Sequence, residues 1–161
     1  MNMDIIAYLI SFSAVSIVAL LGMVFTKRKV ETEWYKCIRH RYTPPNIVFP
    51  IVWTLLYIIL ALSLAHSIRL YGIKNDLIYL YAINLVLNVL WCYFYFERKD
   101  VTMSIYILST LIITTICIMV ILYKRKAHWY VLIPYLIWLM FALFLNIMSK
   151  RKVNICANLN F

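Results

Sequence analysis

The chain has 161 residues, 65% of them hydrophobic and 14% charged, with a mean hydropathy of +0.86 and a net charge of +10. A soluble globule is about half apolar, so this composition excludes the soluble class and indicates an integral membrane protein. The basic residues fall in the gaps between apolar runs; that pattern argues against a nucleic-acid reader and suits topology signals lying beside anionic headgroups.

A helix needs about 20 apolar residues to cross the hydrocarbon core. Five runs reach that length, at residues 5–25, 47–68, 77–96, 101–123 and 129–148, none with Asp, Glu, Lys or Arg inside it. Only helices satisfy the backbone of an open chain in lipid. The expected fold is therefore an all-α membrane protein, a five-helix up-down bundle forming one domain over residues 1–154 with a short tail at 155–161. The first run has no Lys or Arg before it and is followed by Lys27-Arg28-Lys29, so it reads as a retained span and not a cleaved signal. Short gaps predict that consecutive spans are antiparallel neighbours.

Eleven Lys and Arg lie in the first loop, the third loop and the tail, against five on the other side. Positive charge is retained inside, so the first loop and the C-terminus are expected to face the cytoplasm. That loop, residues 26–43, is about three times longer than the others and carries Trp34, Tyr35 and Tyr42. It is either a basic linker whose aromatics rest among headgroups or a lid over the cytoplasmic end of the bundle. Pro44 and Pro45 open the second span; Pro50 and Pro134, a turn or more inside theirs, either bend the helices or are simply tolerated.

At 1.5 Å per residue, Trp53, Asn88 and Trp138 lie roughly 12–15 Å below the same membrane face. Tyr81, Asn84, Asn88, Trp91 and Tyr95 share one face of the third span, and Asn46, Pro50, Trp53 and Tyr57 one face of the second. Asn in lipid is costly unless paired. These residues are either interhelical hydrogen-bonding and packing groups or the lining of a cavity for a flat, mostly apolar ligand. No carboxylate pair, nucleophile triad, phosphate loop or metal cluster is present in the sequence, so no catalytic or metal site is expected. Cys37, Cys92, Cys117 and Cys156 are scattered without a CxxC pair and read as apolar fillers or incidental thiols, with no disulfide framework.

Three blocks, EWY at 33–35 with TPPNIVFPIVWTLLY at 43–57, YAINLVLNVLWCYFYF at 81–96 and VLIPYLIWLMFALFLN at 131–146, resemble the translocator protein family, also called tryptophan-rich sensory protein, TspO, or peripheral-type benzodiazepine receptor. The resemblance covers nearly the whole chain. It implies a receptor or sensor whose intramembrane cavity, capped by the first loop, binds protoporphyrin IX, haem and synthetic isoquinoline carboxamide or benzodiazepine ligands. The implied ligand-binding residues are Phe49, Pro50, Trp53, Tyr57, Asn84, Asn88, Trp91, Cys92, Trp138, Ala142 and Leu145, with Trp34, Tyr35, Tyr42, Pro44 and Pro45 in the lid. It also implies two alternatives: light- and oxygen-dependent porphyrin degradation using Trp53 and Trp138, or porphyrin or sterol transport. A bacterial envelope or mitochondrial outer membrane is the implied location. The chain departs from the cholesterol motif of animal members, since Leu145 is followed by Asn146-Ile147-Met148-Ser149-Lys150 without a Tyr. Ala61-xxx-Ala65 is the candidate homodimer face.

Overall fold

The computed structural model describes residues 3–157. Five helices are long and apolar enough to cross a membrane, and the chain is a multi-pass integral membrane protein. The spans are α1 (Met3–Thr26), α3 (Val48–Tyr71), α4 (Asp76–Cys92, continued by a π-helical turn Tyr93–Glu97), α5 (Val101–Lys124) and α6 (Ile133–Ala157), the last preceded by a 3-10 turn at Trp129–Leu132. A short helix α2 (Glu33–Ile38) lies in the first loop.

Local chemistry sets several of these ends. Asn75 and Asp100 cap α4 and α5, their side-chain oxygens accepting from Leu77 N at 3.1 Å and Met103 N at 2.9 Å; such caps satisfy backbone donors left free in a first turn. Gly72 ends α3 with φ 76° and ψ 168°, a backbone region open essentially to glycine alone. Of the two readings left open for the deep prolines, their positions favour simple tolerance. Pro50 is the third residue of α3 and Pro134 the second of α6. Both stand in a first turn, where a missing N–H removes no helical bond. The last span also extends well past residue 148, to Ala157, and residues 158–161 of the expected tail lie outside the described residues.

The spans close into a ring in which α1 packs on both α3 and α4, α4 on α5, and α5 on α6. The expected neighbour rule therefore fails at one place. Although α3 and α4 are joined by a short loop, each packs more on α1 than on the other. Bulky rings, Trp53 and Trp91 with centroids 5.6 Å apart, meet between them and hold their backbones apart. Large apolar side chains such as Leu20, Ile51, Val86, Ile113 and Ile137 remain exposed around the outside, the side that lipid covers. Ala61 and Ala65 are completely buried within the chain. A second copy cannot reach them, so they are not the dimer face the sequence suggested.

Candidate functional site: a capped aromatic cavity

A cavity of about 420 Å³ opens among α1, α3, α4 and α6 beneath the first loop, within the size range of small-molecule sites. Nine of the eleven expected ligand-binding residues line it: Phe49, Pro50, Trp53, Tyr57, Trp91, Cys92, Trp138, Ala142 and Leu145. The helical spacing behind the second-span expectation is realised, since Asn46, Pro50, Trp53 and Tyr57 all line the wall. Trp53 is the hub of the rings. It meets Tyr57 at 5.4 Å, Trp91 at 5.6 Å and Tyr135 at 6.5 Å, while Trp138 meets Phe49 at 5.9 Å across the cavity.

Asn84 and Asn88 do not line the cavity. Both are buried in a network joining α4, α5 and α6. The Asn84 amide donates to Thr114 Oγ1 at 3.0 Å and Thr115 Oγ1 at 2.9 Å, and its carbonyl accepts from the Tyr135 hydroxyl at 2.9 Å. Asn88 Nδ2 donates to the same hydroxyl. The physical reason is depth: Trp91 and Tyr95 lie on the same face of the chain one and two turns nearer the lid, and there the face opens on the cavity. Tyr135 stands between Trp53 and the asparagine pair, its ring against the first and its hydroxyl on the second. Of the two readings left open by the sequence, interhelical bonding holds for the asparagines and cavity lining for the aromatics. The indole nitrogens of Trp91 and Trp138 and the Asn88 carbonyl oxygen are buried without a hydrogen-bond partner among the described residues.

The first loop is a folded cap. Tyr35 and Ile38 are buried, and apolar burial of this kind is what separates a packed segment from a linker. Thr32 caps α2, accepting from Tyr35 N at 3.3 Å. Tyr35 packs on Phe96 at 5.7 Å and Trp34 on Tyr95 at 6.2 Å. Beyond α2, the Arg39 guanidinium donates to Thr43 O at 3.1 Å and Pro44 O at 2.7 Å and so folds the following turn; Val48 N then donates to Pro45 O at 2.9 Å at the start of α3. Of the expected lid residues only Tyr35 reaches the cavity; Trp34 braces α2 from behind and Tyr42 is exposed beside Phe144. Burial raises the Tyr35 phenol above its ordinary pKa, with the nearby Arg39 charge opposing.

The sequence reading missed Lys27 and Arg39 at the lid end of the cavity, and Asn146 and Ser149 on α6. Asn146 and Ser149 continue the face of Trp138, Ala142 and Leu145 at helical spacing, a signal that could have found them; Lys27 and Arg39 lie past the ends of two different helices and share no spacing. It also missed a covalent bond. Cys37 on α2 and Cys156 near the end of α6 form a disulfide with Cα atoms 6.0 Å apart, which corrects the expectation of incidental thiols. A separation of 119 residues leaves no local pattern to read. Cys92 and Cys117 are free, as expected.

The fold and the site together define a class: a five-span α-helical membrane protein with an aromatic, lid-capped internal cavity. The profile of the TspO/MBR family matches residues 10–151, and the chain belongs to that family. It is 31% identical over 147 residues to the tryptophan-rich protein TspO of Archaeoglobus fulgidus, covering 89% of this chain and 95% of the relative. To the protein of the same name from Chlorobaculum tepidum it is 27% identical over 150 residues, 91% and 95% of the two chains. To the tryptophan-rich sensory protein of Cereibacter sphaeroides it is 29% identical over 153 residues, 94% of each.

Proposed function

We propose that this protein is a membrane receptor or sensor that binds tetrapyrroles, such as protoporphyrin IX or haem, and similar flat apolar ligands in the capped cavity. The observation that carries the proposal is the cavity wall itself: Trp53, Trp91 and Trp138 with Phe49 and Tyr57 around one volume of about 420 Å³. Ring faces at this density reward a planar apolar body through offset stacking. Lys27 and Arg39 at the lid end offer cationic groups to acidic substituents at a ligand's edge. The name of the Cereibacter sphaeroides relative, a sensory protein, is in keeping with this role.

Titration of purified protein with protoporphyrin IX tests the proposal. Indole fluorescence quenches saturably in the wild type, and Trp53→Ala with Trp138→Ala weakens binding at least tenfold while the helical circular dichroism is kept. Equal quenching in both proteins overturns the reading. The charge asymmetry further supports a cytoplasmic lid and C-terminus; a C-terminal tag that is protease-sensitive from the outside of intact cells would refute that orientation.

A further inference from the structure

We infer that the Cys37–Cys156 disulfide is a thiol-responsive latch that sets how fast ligand enters and leaves the cavity. The inference rests on the proposed ligand-binding role of the cavity and on the cytoplasmic placement of the lid.

The bond joins two parts of one wall. On the lid side, Cys37 sits between Tyr35 and Arg39, both of which line the cavity. On the other side, Cys156 lies in the last turn of the helix that supplies Trp138, Ala142 and Leu145 to the same cavity. Closing the sulfur–sulfur bond therefore ties the cover directly to the helix it covers. The remaining ties are non-covalent: the buried cluster of Tyr35 and Ile38 with Phe96 and Val101, the Lys152 Nζ donation to Arg39 O at 2.8 Å, the Lys29–Glu97 pair at 3.0 Å, and the Trp34–Tyr95 ring contact. The ion pair is well exposed, with side chains 35% and 41% accessible, and such pairs hold little. Thermal motion can break each of these ties but cannot break the disulfide.

Chemistry can break it. The cytoplasm keeps thiols reduced, and disulfides formed there are transient and redox-sensing. Cys156 is 1% exposed whereas Cys37 is only partly buried, so an incoming thiolate reaches Cys37 Sγ. It forms a mixed disulfide there, and the S–S electron pair leaves on Cys156, which takes up a proton. A second thiol attacks the mixed disulfide, releasing Cys37 as a thiol and the two reductant sulfurs as their own disulfide. The reverse direction uses hydrogen peroxide: the Cys37 thiolate becomes a sulfenic acid, Cys156 displaces water from it, and two waters form per hydrogen peroxide consumed. Oxidised protein thus holds its lid down over bound ligand, and reduced protein exchanges ligand freely.

The test uses the full chain in lipid nanodiscs, oxidised or reduced with a phosphine that is then removed, with protoporphyrin IX as the probe. Reduction is expected to speed release of the probe at least tenfold, Cys37→Ser to release as fast as reduced wild type, and reoxidation to restore slow release. Hydrogen exchange over residues 32–43, which needs no ligand, is expected to rise in parallel. Equal release rates in both redox states overturn the latch while leaving ligand binding intact. Faster lid exchange on reduction, with no probe bound in either state, overturns the ligand-binding reading and retains the latch as a lid device. Thiol trapping in intact cells is expected to find the pair reduced at rest and oxidised after peroxide; a pair oxidised in both conditions refutes thiol control.

Discussion

Tyr135→Phe separates the stability of the bundle from the binding of ligand. The substitution keeps the ring against Trp53 and removes one hydroxyl, and with it two bonds: the donation to Asn84 Oδ1 at 2.9 Å and the acceptance from Asn88 Nδ2. Asn84 keeps its amide donations to Thr114 and Thr115, and Asn88 keeps only a long contact to Asn84 O at 3.4 Å. An unmet buried polar group costs about 1–3 kcal/mol in a water-soluble protein. In a membrane the unfolded chain finds other partners, and each interhelical bond contributes about 0.6 kcal/mol on average and about 1.7 at most. Two such bonds amount to about 1–3 kcal/mol, or roughly a 5- to 150-fold shift in the folding equilibrium. Unfolding by a denaturing detergent, followed by circular dichroism, measures it. Because Tyr135 does not line the cavity, affinity for protoporphyrin IX is expected to change by no more than about twofold. A variant of unchanged stability that loses binding tenfold would refute this division and return the asparagine network to the ligand site.

Three other outcomes follow from the same geometry. Ala142→Trp places a large side chain in a cavity that Ala142 now lines, and is expected to weaken probe binding at least tenfold in a titration while leaving the helical spectrum intact. Gly72→Ala meets no atom within 4 Å, yet at φ 76° the backbone conformation costs roughly 1–3 kcal/mol for any residue with a Cβ; the detergent midpoint falls accordingly, and an unchanged midpoint would show that the turn relaxes freely. Burial raises the Tyr35 pKa above its ordinary value of 10.0, so the folded lid holds that proton more tightly than the unfolded chain does. The associated stability is complete below pH 10 and is lost as pH rises through the shifted value; thermal melts from pH 8 to 11 show the alkaline loss in wild type and a smaller one in Tyr35→Phe.

The spans and the tryptophans of the cavity wall were legible in the sequence because lipid imposes rules that act locally, while Phe49, Cys92, Ala142 and Leu145 came from the family resemblance. Apolar length marks a crossing, and a 3.6-residue period groups Asn46, Pro50, Trp53 and Tyr57 on one face whatever lies opposite. The same period could not say which neighbours a face meets. It put Asn84, Asn88 and Trp91 on one stripe, and only the packing of Tyr135 against that stripe assigned the first two to the bundle's hydrogen bonding and the third to the cavity. The lid was ambiguous for a related reason: a basic loop with aromatics is soluble or folded according to what it docks on, and here it docks on Tyr95, Phe96 and the end of α6.

By itself, then, the sequence determined the number of crossings, the family and the aromatic character of the site, since each depends on composition and short-range spacing. Tertiary structure alone decided the order of helices around the ring, the separation of the polar network from the cavity, and the pairing of Cys37 with Cys156. Each of these joins residues from separate helices, and the disulfide spans 119 positions, a distance over which one chain carries no periodic signal and only packing brings partners into contact.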